Sequence, residues 1–229
     1  TNGWYDTDTG NTICTLITTP ETVLVLDAGY GLAKLDRFLK PGDERPLFLF
    51  LSHFHLDHLT GLHTLTKFAL AGGLTLCCPA GGRAILQTFV NAPFTVPLKA
   101  LPYPTNVLEL PGEAALLPFS VQALPLLHSG LTLGYRLETG GRIIAYCPDT
   151  GYCENAVTLA READLLITEC AYKEGQSSES WPHLNPETAG RIAREAGALR
   201  LALTHFDARI YRSLPEREEA QTAARKEFP

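Results

Sequence analysis

No apolar run in this 229-residue chain approaches the ~20 residues that a membrane-spanning helix needs. The longest, such as Leu47–Leu51, are short and bounded by polar residues, which excludes a spanning helix. No basic start leads into an apolar core, so no secretory signal peptide is expected and the expected compartment is cytoplasmic. Positive charge is not in excess: 19 Lys+Arg stand against 25 Asp+Glu, a formal net charge of −6. The chain therefore has no overall basic field with which to grip a polyanion, and a local Arg cluster or bound metal ions would have to supply any positive potential. The six cysteines, Cys14, Cys77, Cys78, Cys147, Cys153 and Cys170, contain no CxxC pair. Cys77 and Cys78 point opposite ways if they lie in a strand, and buried free thiols are expected rather than disulfides or zinc ligands. Repeats, low-complexity tracts and long linkers are missing too, so residues 1–229 read as a single domain.

What is present is an alternation of apolar segments and Gly/Pro punctuation. Strands are expected at Thr12–Thr19 and Thr22–Asp27, joined as a hairpin through Thr19-Pro20-Glu21, and at the wholly apolar Leu47–Leu51. Further strands fit Leu74–Cys77, Asn106–Leu110, Ser120–Leu126, Thr132–Leu137, Arg142–Tyr146, Leu165–Thr168 and Leu201–Thr204. Helices fit Leu32–Leu39, Leu62–Ala71, Gly82–Val90, Glu154–Ala163, Pro186–Ala196 and Pro215–Lys226. The Pro186 helix carries the fullest signals: Asn185 as cap, Pro186 in the first turn, an Ala189/Ile192/Ala193/Ala196 face, and Gly197 as stop. Hairpin-joined strands are expected in the first half and middle, and strand–helix alternation toward the end. That pattern is layered α/β with mixed sheets.

The chemistry concentrates in Ser52-His53-Phe54-His55-Leu56-Asp57-His58, an HxHxDH cluster directly after the apolar strand. In an extended segment His53 and His55 project to the same side and can reach one metal ion, while Asp57 and His58 on the following turn can face a second. Without a metal, several partly charged imidazoles would crowd together beside an apolar strand, which is electrostatically costly. His128, Asp149 and His205 each follow a β segment, where active-site residues concentrate. Taken singly, each suits a ligand or a structural residue equally; Asp149 has two oxygens and can bridge two ions, which an imidazole cannot do.

These residues, in this order, carry a resemblance. The chain resembles the metallo-β-lactamase superfamily from about Asn11 to Tyr211, and within it the ribonuclease Z and phosphodiesterase branch. The carriers are Leu24-Val25-Leu26-Asp27-Ala28-Gly29, the HxHxDH motif with Leu59-Thr60-Gly61-Leu62, His128 with Gly134-Tyr135-Arg136, Pro148-Asp149-Thr150, Asp164–Glu169, His183, and Leu203-Thr204-His205. The resemblance implies a four-layer αββα sandwich, two mixed β-sheets flanked by helices, with two divalent metal ions: zinc by default, manganese or iron as alternatives. It assigns His53, His55, His128 and Asp149 to one ion, and Asp57, His58, Asp149 and His205 to the other. A metal-bridged hydroxide would then be the nucleophile, with Asp57 orienting it or taking its proton. His63 matches no ligand position and reads as a residue of the surface or one that backs the ligands.

His183 and Glu169 match a histidine and glutamate thought, in the ribonuclease Z family, to protonate the leaving oxygen together; an ordinary loop histidine is the other reading of His183. Arg209 suits a phosphate contact or a salt bridge equally. Two departures from ribonuclease Z point away from tRNA. Only the 20 residues Ser129–Pro148 separate two of the ligand positions, which leaves no room for the tRNA-gripping arm, and Asn2–Asn11 lacks that family's N-terminal loop. The acidic charge points the same way. The expected function is thus metal-dependent hydrolysis of a small or cyclic, anionic phosphodiester. An arm-less endoribonuclease is the alternative with the same chemistry, and a lactone, thioester or β-lactam hydrolase the alternative of another class. A homodimer is the assembly that this branch commonly forms.

Overall fold

Val23–Leu26 and Leu47–Phe50 are unbroken apolar tetrapeptides, the composition of strands covered on both faces, and every residue in both is buried. They pair in parallel, with Leu26 opposite Phe50. The computed structural model describes residues 11–40 and 42–229; the segment 2–10, which the N-terminal loop expectation concerns, lies outside them. Thr12–Leu117 and Pro118–Pro229 form two units, each with its own five-stranded sheet.

In Thr12–Leu117 the strands run in the order β1 (Thr15–Thr18), β2 (Val23–Leu26), β3 (Leu47–Phe50), β4 (Leu74–Pro79) and β5 (Thr105–Leu110). Only β1–β2 is the expected hairpin. β2, β3, β4 and β5 are mutually parallel, which corrects the reading of this half as hairpin-dominated. Val23, Val25, Leu47, Leu49, Leu74 and Leu76 alternate onto one face and pack with Leu32, Leu62 and Leu86, the last from α1 (Gly82–Phe89).

The expected helices at Leu32–Leu39 and Leu62–Ala71 are instead 3-10 segments, Tyr30–Arg37 and Thr60–Lys67. Their starts are pinned to each other: the Gly61 N–H donates to Ala28 C=O at 2.8 Å, and a Cβ on Gly61 would lie 2.2 Å from the Gly29 carbonyl oxygen. Tied this tightly at the first turn, each segment closes with i→i+3 bonds such as Leu62 N–H to Leu59 C=O, 2.9 Å. At the outer strand β5, Arg83 Nη1 donates to Val107 C=O (2.7 Å), while the Glu109 N–H donates to Glu113 Oε2 (2.6 Å) and the Glu113 N–H to Glu109 C=O (2.9 Å).

In Pro118–Pro229 the order is β10 (Leu201–Thr204), β9 (Leu165–Glu169), β8 (Arg142–Cys147), β7 (Leu133–Thr139) and β6 (Ser120–Pro125). β6, β7 and β8 form antiparallel hairpins, the second turning at Gly140–Gly141, and β8, β9 and β10 are parallel. Both sheets are therefore mixed. α2 (Glu154–Ala160) and α3 (Pro186–Ala196) cover one face through small residues, Ala156, Ala160, Ala189 and Ala193 among them. α3 has the expected bounds: Asn185 Oδ1 accepts the Thr188 N–H at 2.9 Å, and Gly197 adopts φ 65° at the stop. All six cysteines are free thiols. No helix of the described residues is long and apolar enough to cross a membrane.

In the first turn of α4 (Leu214–Ala224) stands Glu216, whose carboxylate accepts from Lys173 Nζ (2.7 Å), the Arg212 N–H (2.6 Å) and the Ser213 N–H (3.0 Å). These donors, Lys173 first, pull its pKa down to about 2. A carboxylate depressed in the folded state stabilises above its ordinary pKa of 4.5 and loses that contribution as pH falls toward 2. Glu216→Gln is accordingly expected to flatten the fall of Tm between about pH 4.5 and 2, by no more than about 2 °C because the group faces solvent. Thermal melts across that window check it.

Candidate metal centre

The carboxyl ends of parallel strands gather side chains from separate loops, and β2 and β3 do so here. Asp27 follows β2; the HxHxDH segment follows β3. Asp27 is fully buried and has φ 58°, an uncommon backbone conformation for a residue with a side chain. It accepts from the Ser52 N–H (2.7 Å) and Ser52 Oγ (2.8 Å), and its Oδ2 lies 2.8 Å from His58 Nδ1. Burial alone would push this carboxyl up. The charge and hydrogen bond of His58, with His53 and the Ser52 N–H, outweigh it and hold Asp27 below the usual carboxylate range.

Asp27 thereby fixes the His58 ring with Nδ1 inward and Nε2 outward. Ser52 Oγ does the same for His53, 2.9 Å from its Nδ1. A carboxylate or hydroxyl behind the far ring nitrogen is the arrangement that orients metal-binding histidines. The rings of His53 and His55 lie 4.4 Å apart and those of His53 and His58 4.2 Å apart, and Asp57 Oδ2 is 3.5 Å from His58 Nε2. Four of the expected ligands thus meet in Thr12–Leu117. His63 is exposed, bonded to Thr60 C=O and stacked on Tyr30, as expected of a surface residue.

In Pro118–Pro229 the strand ends and the loop before α3 bring together His128, Asp149, His183 and His205. The two oxygens of Asp149 face different imidazoles: Oδ1 lies 3.3 Å from His205 Nε2 and Oδ2 3.9 Å from His128 Nε2. Asp149, His183 and His205 each offer a ligand atom, all within 4.8 Å of one another. His205, at the end of β10, has φ 50°, the second strained non-glycine residue of the candidate site. Buried imidazoles around a carboxylate form a donor set that fits a divalent ion of the zinc or manganese type.

Behind this cluster Glu169, the last residue of β9, is completely buried. Its Oε1 lies 2.5 Å from His183 Nδ1 and accepts the Thr150 N–H (2.8 Å), and its Oε2 accepts the Ala171 N–H (3.0 Å). Burial pulls the His183 ring down, but the bond and charge of Glu169 carry it above its ordinary value. With Nδ1–H committed to Glu169, Nε2 is the ring atom left to face other groups. Arg209 forms an exposed salt bridge with Asp207, 3.1 Å from Nη2 to Oδ2.

Residues 22–206, through both units, match the family model described as the β-lactamase superfamily domain. The chain belongs to the metallo-β-lactamase superfamily. It is 32% identical over 162 residues to the probable metallo-hydrolase YhfI of Bacillus subtilis, a match covering 68% of this chain and 64% of that protein. It is 27% identical to ribonuclease Z of Thermobifida fusca, over 88% of this chain and 80% of the relative. The crystal structure of YhfI superposes with a TM-score of 0.76 at 24% identity, covering 99% of this chain and 89% of that one. Human tRNase Z, short form, superposes with a TM-score of 0.70 at 23% identity, covering 95% and 92%. The αββα metallo-β-lactamase fold class is as the sequence implied.

Within this metallo-β-lactamase frame, Asp27 is a residue to which the sequence reading gave no role. The signal available was an acid between an apolar strand and Ala28-Gly29. Asp27→Asn is expected to release the His58 ring and weaken metal binding about 10- to 100-fold. Chelator competition at fixed pH checks this.

Proposed function

We propose that the chain is a dinuclear metal-dependent phosphodiesterase acting on a small or cyclic phosphodiester. His53, His55, His128 and Asp149 would hold one ion, and Asp57, His58, Asp149 and His205 the other, with zinc as the first candidate metal and manganese or iron next. The observation that carries the reading is the His183–Glu169 pair beside Asp149. An alkoxide leaving a phosphate needs a proton, and a buried carboxylate that fixes the tautomer of an imidazole and raises its pKa makes that imidazole a proton donor. When bound, two divalent ions lower the pKa of a water toward ~7 and polarise the phosphoryl oxygen.

The residues of the chain would divide the remaining work. Asp57, partly exposed beside His58, takes the proton of the attacking water. Asp27 and Ser52 keep His58 and His53 aimed. His183 Nε2 delivers a proton to the leaving oxygen, while Glu169 steadies the charged ring. Support for phosphoryl over acyl chemistry comes from this pair and from the ribonuclease Z relatives. Support for a small substrate over tRNA comes from the Ser129–Pro148 interval, which β7 and β8 fill as a hairpin.

The test is elemental analysis of purified protein together with hydrolysis of bis(p-nitrophenyl) phosphate, with and without chelator and added zinc or manganese. About two metals per chain and chelator-sensitive cleavage are expected. Absence of metal under every loading condition would overturn the ligand assignment. Bound metal with cleavage of lactones or thioesters but not of phosphodiesters would overturn the phosphodiesterase reading.

A further inference from the structure

We infer that Trp181 sets leaving-group specificity by stacking on a planar ring carried by the alcohol that His183 protonates. This rests on the phosphodiesterase reading and deepens it to a substrate class, phosphodiesters whose leaving group bears an aryl ring or a nucleobase.

Trp181 is a large aromatic residue with 50% of its surface exposed, yet its backbone is fixed. Its N–H donates to Ser178 Oγ (3.1 Å), and its C=O accepts from Tyr172 Oη (2.7 Å). The indole ring centroid lies 5.9 Å from that of His183 and 5.9 Å from that of His128. Tyr172, which anchors the Trp181 carbonyl, meets the His183 ring edge-on at 5.7 Å. The aromatic side chain and the acid are therefore positioned by the same short segment.

Gly151 allows that segment its place. A Cβ there would come within 3.0 Å of Pro182 Cβ and 3.1 Å of Leu127 Cδ2, so the Trp181-Pro182-His183 turn lies close against the loop that carries Asp149. Leu127, next to His128, is itself half exposed. The result is an apolar lip, Trp181 and Leu127, beside a buried polar cluster. An indole on an anchored backbone, half open to solvent, adds little to a core. Its flat face suits a ring, and base–aromatic stacking is tolerant of which base is presented. Because Trp181 flanks the proton donor, the ring it receives belongs to the departing alcohol.

The experiment compares adenosine 2′,3′-cyclic phosphate with ethylene cyclic phosphate, which shares the five-membered phosphate ring and lacks the base. Wild type is expected to prefer the adenosine ester, and Trp181→Leu to lose roughly 10- to 100-fold in kcat/KM on it with little change on the ethylene ester. Trp181→Phe should recover much of the preference, and metal content should equal that of wild type in both variants. A readout without turnover is quenching of tryptophan fluorescence by adenosine 5′-monophosphate but not by ribose 5-phosphate, abolished in Trp181→Phe, where Trp4 is the only tryptophan left. An equal loss on both esters with no change in their ratio would overturn the role of Trp181 and leave the phosphodiesterase reading standing. Failure of wild type to cleave any phosphodiester, bis(p-nitrophenyl) phosphate included, would overturn both.

Discussion

Asp149→Ala should lose bound metal and phosphodiester hydrolysis together, kcat/KM falling at least ~1,000-fold. The reason lies in how its oxygens are divided. One faces His205 after β10 and the other His128 after β6, so a single carboxylate serves donors from two loops. Removing it leaves buried imidazoles facing one another with no negative charge between them, which disfavours a cation held by either. Elemental analysis and turnover on the same preparation check the result, with circular dichroism to establish that the sheet remains folded. Two ions still bound to the variant would show that Asp149 does not bridge.

His183→Ala should behave in the opposite way toward metal. Both ions are expected to stay, while kcat on diesters with alkyl or sugar leaving groups falls roughly 100- to 10,000-fold. With p-nitrophenyl esters the loss should be small, because p-nitrophenolate departs as a stable anion and needs little help from an acid. The contrast between the two substrates is the diagnostic, since misplacement of the metals would depress both. Glu169→Gln should move in the same direction, because Oε1 meets His183 Nδ1 at 2.5 Å and an amide there would weaken the preference for the charged ring. Retention of full turnover on poor leaving groups by His183→Ala would remove the proton-donor role.

What could be read beforehand follows from where the determining contacts lie. α3 was legible to the residue because its signals are local: Asn185, Pro186 and Gly197 each act within one turn of themselves. The HxHxDH cluster was legible because its spacing alone brings the side chains together. Apolar runs such as Val23–Leu26 and Leu47–Phe50 announced burial but not the direction of their partners, so parallel pairing in the first sheet was missed. The segments Tyr30–Arg37 and Thr60–Lys67 have helical periodicity; their 3-10 geometry comes from Gly61 meeting the Ala28–Gly29 backbone, a contact more than thirty residues away in sequence. The same distance hid the bond between Asp27 and His58. Resemblance could pair Glu169 with His183, but only the end of β9 and the loop before α3 bring the two into contact.

The outer strand β5 carries a consequence of another kind. Its outward carbonyl at Val107 and both outward backbone groups of Glu109 are occupied by Arg83 and Glu113. A strand from a second molecule needs those very groups to extend the sheet. Where they are occupied, such a strand would have to displace a guanidinium and a glutamate and desolvate their charges before forming its first ladder bonds. A chain rich in buried apolar strands is thus guarded against edge-to-edge polymerisation at this margin by two ordinary surface side chains.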